Sequence, residues 1–137
     1  MSKVNRPEHA GLRHVALIVR DYDAMRRFYT EVLGFAVEWE PDPDNVYLTS
    51  GIDNLALHRS PMAHTEPLTG PSPLDHIGLV VRTADDVDRW AAFLGSRGVT
   101  VDAAPRTHRD GVRSCYFRDP DGNRIQILHH PPISAKT

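Results

Sequence analysis

Cysteine is nearly absent: Cys115 stands alone in 137 residues. A single thiol forbids an internal disulfide and a cysteine-based zinc cluster, and it fits a reducing compartment. An excess of charge is missing too, since 16 basic residues face 18 acidic ones for a net charge of −2. That balance leaves no electrostatic footprint for nucleic acid or a membrane surface, so the expected partner is a small-molecule substrate. No apolar run reaches the roughly 18 residues of a membrane span, and no signal-peptide pattern precedes the first apolar run. The chain therefore reads as soluble and cytoplasmic. Residues 1–10 and Pro131 to Thr137 read as tails.

What is present is a duplication. Leu12-Arg-His-Val-Ala-Leu-Ile-Val-Arg20 and Leu74-Asp-His-Ile-Gly-Leu-Val-Val-Arg82 align without a gap, which puts His14 and His76 at equivalent positions. At this length the two repeats must share one domain. In each, the histidine opens a continuous apolar run, Val15 to Val19 or Ile77 to Val81, of the kind expected for a strand buried on both faces. Residues at i and i+2 share a strand face. His14 therefore points with Ala16 and Ile18, and His76 with Gly78 and Val80, leaving room beside both imidazoles.

A helix follows in both halves. Asp21 or Asp23 can cap the first, whose stripe is Met25, Phe28, Tyr29 and Val32, with Gly34 at its end. Thr83-x-x-Asp86 opens the second, whose stripe is Val87, Trp90, Ala91 and Leu94, with Gly98 beyond it. Aromatics at helical spacing are ordinarily core, and Phe28 and Trp90 are read so. Strand candidates then run over Ala36 to Glu40, Val46 to Thr49 and Leu55 to Arg59, and over Val99 to Ala103, Ser114 to Arg118 and Arg124 to His129. Turns at Gly51-Ile-Asp-Asn54 and Asp119-Pro-Asp-Gly-Asn123 occupy matching places. Each half thus reads β-α-β-β-β, an α+β class. The repeats span 12–60 and 74–130, joined by a proline-rich linker over 61–73.

Paired β-α-β-β-β repeats, a histidine opening each, and the closing run Phe117-Arg-Asp-Pro-Asp-Gly-Asn-Arg-Ile-Gln-Ile127 together resemble the vicinal oxygen chelate superfamily. That group includes glyoxalase I, extradiol dioxygenases, fosfomycin-resistance proteins and bleomycin-binding proteins. The resemblance covers residues 12 to 129 and implies a glyoxalase-like incomplete barrel around a cleft, a homodimer, and a divalent metal ion. Fe²⁺ leads, with Zn²⁺, Mn²⁺ or Ni²⁺ as alternatives, or no metal at all. The family's ligand positions fall here on His14, His76 and Gln126, where the third is normally glutamate. A fourth ligand in some members would be Ala56 or His58; matching Leu55-Ala-Leu57 to Ile125-Gln-Ile127 makes Ala56 the symmetry partner of Gln126.

Two neutral imidazoles plus a carboxylate suit iron or another divalent ion and leave positions open for a substrate with neighbouring oxygens. Glutamine keeps a coordinating carbonyl but loses the offsetting charge, so weaker binding and a more electrophilic metal are expected. His58 as a third imidazole would shift the type toward zinc or copper. An amide is no general base near neutral pH, which disfavours glyoxalase-type isomerisation. Extradiol ring cleavage asks less of that ligand, because a separate His or Tyr handles protons; His58, His108 and Tyr116 are the candidates.

Bland readings compete at every position. A lone strand histidine is ordinarily a hydrogen-bonded core residue, and only the mate His76 tilts His14 toward a ligand role. His9, His64, His129 and His130 read as solvated, Cys115 as a buried inert thiol, and Arg113 as solvent-facing unless its parity turns it inward onto an anionic substrate. The leading expectation is a metal-dependent oxygenase or lyase, most simply an extradiol-type dioxygenase. The runner-up is a metal-free protein sequestering an aromatic or glycopeptide compound. A thiol-conjugating enzyme of the fosfomycin type lacks both the carboxylate and a run of basic residues.

Overall fold

The computed structural model describes residues 5–62 and 72–135. The first half runs β1 (His14–Val19), α1 (Tyr22–Arg27), a π-helical turn (Phe28–Val32), β2 (Ala36–Asp42), β3 (Asn45–Thr49) and β4 (Asn54–Arg59). The second runs β5 (Ile77–Val80), α2 (Ala84–Ser96), β6 (Val101–Thr107), β7 (Arg113–Arg118) and β8 (Arg124–His129), and α3 (Pro131–Ser134) follows. Each half folds into a four-stranded mixed sheet, ordered β1-β4-β3-β2 and β5-β8-β7-β6, with the first strand parallel to the last. Neither sheet closes into a barrel. No helix among the described residues is long and apolar enough to cross a membrane.

Local chemistry accounts for the helices. Asp21 accepts from the Ala24 amide and Thr83 from the Asp86 amide, so both caps come from the short polar side chains that sequence places there. The first helix departs from a single regular stripe by widening into a π turn from Phe28. Gly34 closes it at φ +80, a conformation costly for any residue with a Cβ.

Strand alternation corrects one expectation. On β1 the side chains of Leu17 and Val19 are buried while His14, Ala16 and Ile18 face outward, Ile18 being 73% exposed. One helix layer covers one face of the sheet, so the continuous apolar run marks a covered face and an uncovered one. The β6 strand also runs later than expected, to Thr107, through Pro105 and past two irregularities in its pairing with β7; an outer strand tolerates a proline that cannot donate. At the C-terminal end, His129 lies in β8 and His130 caps α3, both half-buried rather than solvated in a tail. His64 and most of the linker, 63–71, fall outside the described residues.

The two halves share one core. Buried Leu17, Val19, Met25, Phe28, Tyr29 and Leu57 of the first join Val87, Leu94, Cys115, Phe117, Ile125 and Ile127 of the second. The Asp119-Pro-Asp-Gly-Asn123 turn clamps them together. Asp119, 4% exposed, accepts from the Tyr29 hydroxyl at 2.8 Å and from the Asn123 and Asp121 backbone amides. Asp121 reaches back to accept from the Arg20 and Asp21 amides at 2.6 and 3.0 Å, where the first helix begins. Burial pushes the Asp119 carboxyl above the ordinary carboxylate range while the Asn123 and Tyr29 bonds pull it down; burial and the Asp119 charge keep the Tyr29 phenol protonated.

Tyr29→Phe removes one donor from a buried carboxylate and is expected to cost about 1–3 kcal/mol of stability, with Asp119→Ala costing more because several donors lose their acceptor. Urea unfolding midpoints check this; an unchanged midpoint for Tyr29→Phe removes the clamp from the account.

Candidate functional site

His14 and His76 line the same cavity, of about 340 Å³, together with Asn54, Leu74 and Gly78. Its wall is otherwise largely apolar, from Val15, Phe35, Leu55, Ile77 and Ile125. The repeated histidines are thus brought together by the approach of the first strands of the two halves. Gln126 does not line this cavity; its neighbour Ile125 does, from the opposite face of β8. Among the described residues no group of three or more His, Cys, Asp or Glu side chains is placed so that it could hold a metal ion.

Register defines the neighbours of each histidine. His14 pairs with Asn54, Ala16 with Ala56 and Ile18 with His58; across the next strand Ala56 pairs with Tyr47 and His58 with Asn45. In the second half Gly78 pairs with Gln126, and Gln126 with Tyr116. Ala56 and Gln126 are therefore equivalent, as are Tyr47 and Tyr116. His58 lies one pair further along, beside Ile18, with its ring edge-on to Tyr47.

Hydrogen bonding assigns the tautomers. Asn54 donates its side-chain N–H to the Glu38 carboxylate at 3.0 Å, so its oxygen is the atom 2.7 Å from His14 Nδ1. A carboxylate can only accept, which makes Nδ1 the donor and leaves Nε2 of a neutral His14 with its lone pair. The same reasoning holds for His58, whose Nδ1 is 2.6 Å from Asn45 Oδ1 while the Asn45 amide donates to Asp42. His76 Nδ1 donates to Asp75 at 2.6 Å, and that bond holds the Asp75 carboxyl below the ordinary range. An Nδ1–H fixed by an oxygen acceptor is how proteins orient a metal-binding imidazole. Two imidazoles with free Nε2 atoms on one cavity, and an amide oxygen on the adjoining sheet face, fit a divalent cation of the kind that takes nitrogen and oxygen donors.

The remaining candidates are placed differently. Tyr116 sits on the open face of the second sheet, its ring edge-on to His76 at 5.4 Å between centroids. His108 follows the end of β6, with its Nε2 bonded to the buried Ser114 hydroxyl at 2.9 Å. Arg113 turns onto α2 and binds Asp88 through two nitrogens, which removes it from any substrate. Cys115 is buried and its thiol is pushed up by that burial, in keeping with an inert side chain. Sequence reasoning missed Asn54, Glu38 and Asp75 as the groups that orient the imidazoles. Asp75 had a signal, being adjacent to His76; Glu38 had none, because only strand pairing brings β2 near Asn54.

Comparison with known proteins agrees with this architecture. A family model described as the Glyoxalase/Bleomycin resistance protein/Dioxygenase superfamily matches residues 11–127. The chain is 32% identical over 121 residues to Virulence protein STM3117 of Salmonella typhimurium, covering 85% of this chain and 82% of that one. It is 29% identical over 128 residues to 2,2',3-trihydroxybiphenyl dioxygenase of Sphingomonas paucimobilis, covering 85% of this chain and only 40% of that enzyme. Lactoylglutathione lyase from Agrobacterium tumefaciens superposes with a TM-score of 0.72 at 22% identity, over 90% of this chain and 96% of that one, a likeness of fold alone.

The tautomer assignment is open to measurement. Long-range ¹H–¹⁵N spectra of the metal-free protein, recorded where the imidazoles are neutral, should show Nδ1–H for His14, His58 and His76; an Nε2–H tautomer at His14 or His76 overturns the orienting role of Asn54 or Asp75.

Proposed function

The chain belongs to the Glyoxalase/Bleomycin resistance protein/Dioxygenase superfamily, and from that premise we propose that it is a metal-dependent enzyme acting on a small molecule with two neighbouring oxygens, of the extradiol dioxygenase type. The observation that carries this reading is the pair of imidazoles on one cavity, each with Nδ1 bonded to oxygen and Nε2 left to coordinate. His14 and His76 would hold the ion through Nε2, and Gln126 would offer its amide oxygen. A bound divalent cation, Fe²⁺ first and Zn²⁺, Mn²⁺ or Ni²⁺ otherwise, would supply Lewis acidity to the paired oxygens.

Proton handling then falls to groups that do not hold the ion. Tyr116 is the first candidate, since its ring packs directly on His76. His58 keeps a free Nε2 one pair along the opposite sheet, whereas His108 spends its Nε2 on Ser114. Gln126 cannot accept a proton near neutral pH, which argues against the isomerase chemistry of a lactoylglutathione lyase. The partial relation to a dioxygenase supports the oxygenase branch.

We propose further that the open faces are completed by a second copy of the chain, a homodimer. Ile18 and Trp39, 73% and 59% exposed, would otherwise present apolar surface to water. One feature favours the metal-free alternative: Trp39 stacks on Tyr47 at 5.2 Å, a flat aromatic wall suited to an aromatic or glycopeptide compound.

Metal titration separates the two. Binding of Zn²⁺ or Fe²⁺ is expected to weaken roughly tenfold or more in His14→Ala and His76→Ala and about tenfold in Asn54→Ala, and to strengthen in Gln126→Glu. Calorimetry and metal analysis read this directly; a wild-type protein that takes up none of these ions leaves the binding-protein reading in its place.

A further inference from the structure

Arg124 occupies, in the second half, the position that Asn54 holds in the first. Asn54 pairs with His14; His76 and Arg124 are the residues immediately before the Ile77–Ile125 pair on their two segments. The job done by Asn54 has passed to Asp75, which bonds His76, and Arg124 is left over. Its guanidinium carbon lies 3.9 Å above the centroid of Tyr116, the ring that also packs edge-on against His76. Arg124, Tyr116, His76 and Gln126 therefore form one continuous patch on the open face of the second sheet.

The carboxylate beside that patch, Asp75, is bonded to His76 and not to Arg124. Arg26, Arg59, Arg89, Arg113 and Arg118 each form an ion pair, with Glu40, Asp44, Asp86, Asp88 and Asp102 respectively. Arg124 forms none among the described residues, and its Nε is buried without an acceptor. Its cross-strand partner is another arginine, Arg118, whose charge is answered by Asp102. Like charges set opposite one another on a sheet are unfavourable, and a buried donor without an acceptor adds a further cost. Asp75 feels the Arg124 charge but is engaged by His76. Stacking on Tyr116 offsets part of this expense and fixes the plane of the guanidinium.

We infer that Arg124 is a specificity-determining residue that receives a carboxylate of the substrate beside His76. The inference rests on the proposed small-molecule site and names its substrate class: a carboxylic acid that also carries two neighbouring oxygens. With Nε buried, a guanidinium held flat on a ring presents its two terminal nitrogens as a fork, and a carboxylate is the group that matches it. One cation without an ion pair suits a singly charged carboxylate; a phosphate or phosphonate dianion would call for a second, and Arg118 is already spent on Asp102. Arg124 thus takes the anchoring part that the sequence had offered to Arg113.

Three probes separate the parts of the claim: catechol carries only paired oxygens, benzoate only a carboxylate, and 3,4-dihydroxybenzoate both. Calorimetric titration of Zn²⁺-loaded wild type is expected to show 3,4-dihydroxybenzoate bound roughly tenfold tighter than catechol. Arg124→Gln should abolish that preference and benzoate binding while leaving catechol affinity unchanged. Arg124→Lys keeps the charge but not the fork, and should lose at least about threefold of the preference, so it decides the matter if Arg124→Gln fails to fold. Equal affinities for catechol and 3,4-dihydroxybenzoate in the wild type, or a preference that survives both substitutions, overturns the role of Arg124 and leaves the paired-oxygen reading standing. Catechol that fails to bind, with benzoate still bound in an Arg124-dependent way, overturns the paired-oxygen reading and keeps the carboxylate site.

Discussion

The buried carboxylate of Asp119 is the contact on which the arrangement of the two halves turns. It gathers the Tyr29 hydroxyl from one half and the Asn123 and Asp121 amides from its own, while Asp121 takes the backbone where β1 gives way to α1. A carboxylate taken out of water is tolerated only when donors surround it, and here several do. Because Tyr29 and Phe28 also join the core and Phe28 packs on Phe117, the polar clamp and the apolar contact act on the same helix. The relation of β1 to β5, and with it the meeting of His14 and His76 on one cavity, follows from that joint.

Much of this was legible in the residues because duplication repeats its own signals. The paired apolar runs, the two caps at Asp21 and Thr83, and the match of Leu55-Ala-Leu57 to Ile125-Gln-Ile127 all translate into elements and register. What stayed hidden depends on contacts that no local pattern encodes. A run such as Val15 to Val19 does not say whether one face or two is covered, since that depends on how many layers pack on the sheet. Pro105 argues for a loop by itself, yet an outer strand has a free side on which a missing N–H costs nothing. The two histidines that share a cavity were legible in the repeats and their hydrogen-bond partners were not: Glu38, behind Asn54, is brought near by strand pairing alone.

The halves have kept one backbone and exchanged their polar groups. Where the first has Asn54, Ala56 and His58, the second has Arg124, Gln126 and Leu128. The first half therefore supplies an imidazole oriented by a neutral amide backed by a carboxylate, and an aromatic wall of Trp39 and Tyr47. The second supplies an imidazole oriented directly by a carboxylate, an amide oxygen and a cation. Two similar surfaces with different chemistry suit an unsymmetrical ligand, one end planar and the other charged.

Gln126 connects these differences. A carboxylate at that place, 8% exposed and on the same strand face as Arg124, would be a buried charge whose obvious counter-ion is the guanidinium two residues away. Metal, once bound, would compete for the same oxygens. With an amide there the carboxylate left beside the patch is Asp75, which bonds His76, so any hold on a metal would be weaker, but the guanidinium is not consumed in an ion pair. The exchange of carboxylate for amide thus moves negative charge from the chain to whatever the site receives. A ligand that brings its own anion restores the balance at Arg124, and one that brings two further oxygens offers the cation what Gln126 cannot. Under the proposed role of Arg124 the glutamine would be less a damaged metal ligand than the condition under which that guanidinium stays available to select an acid.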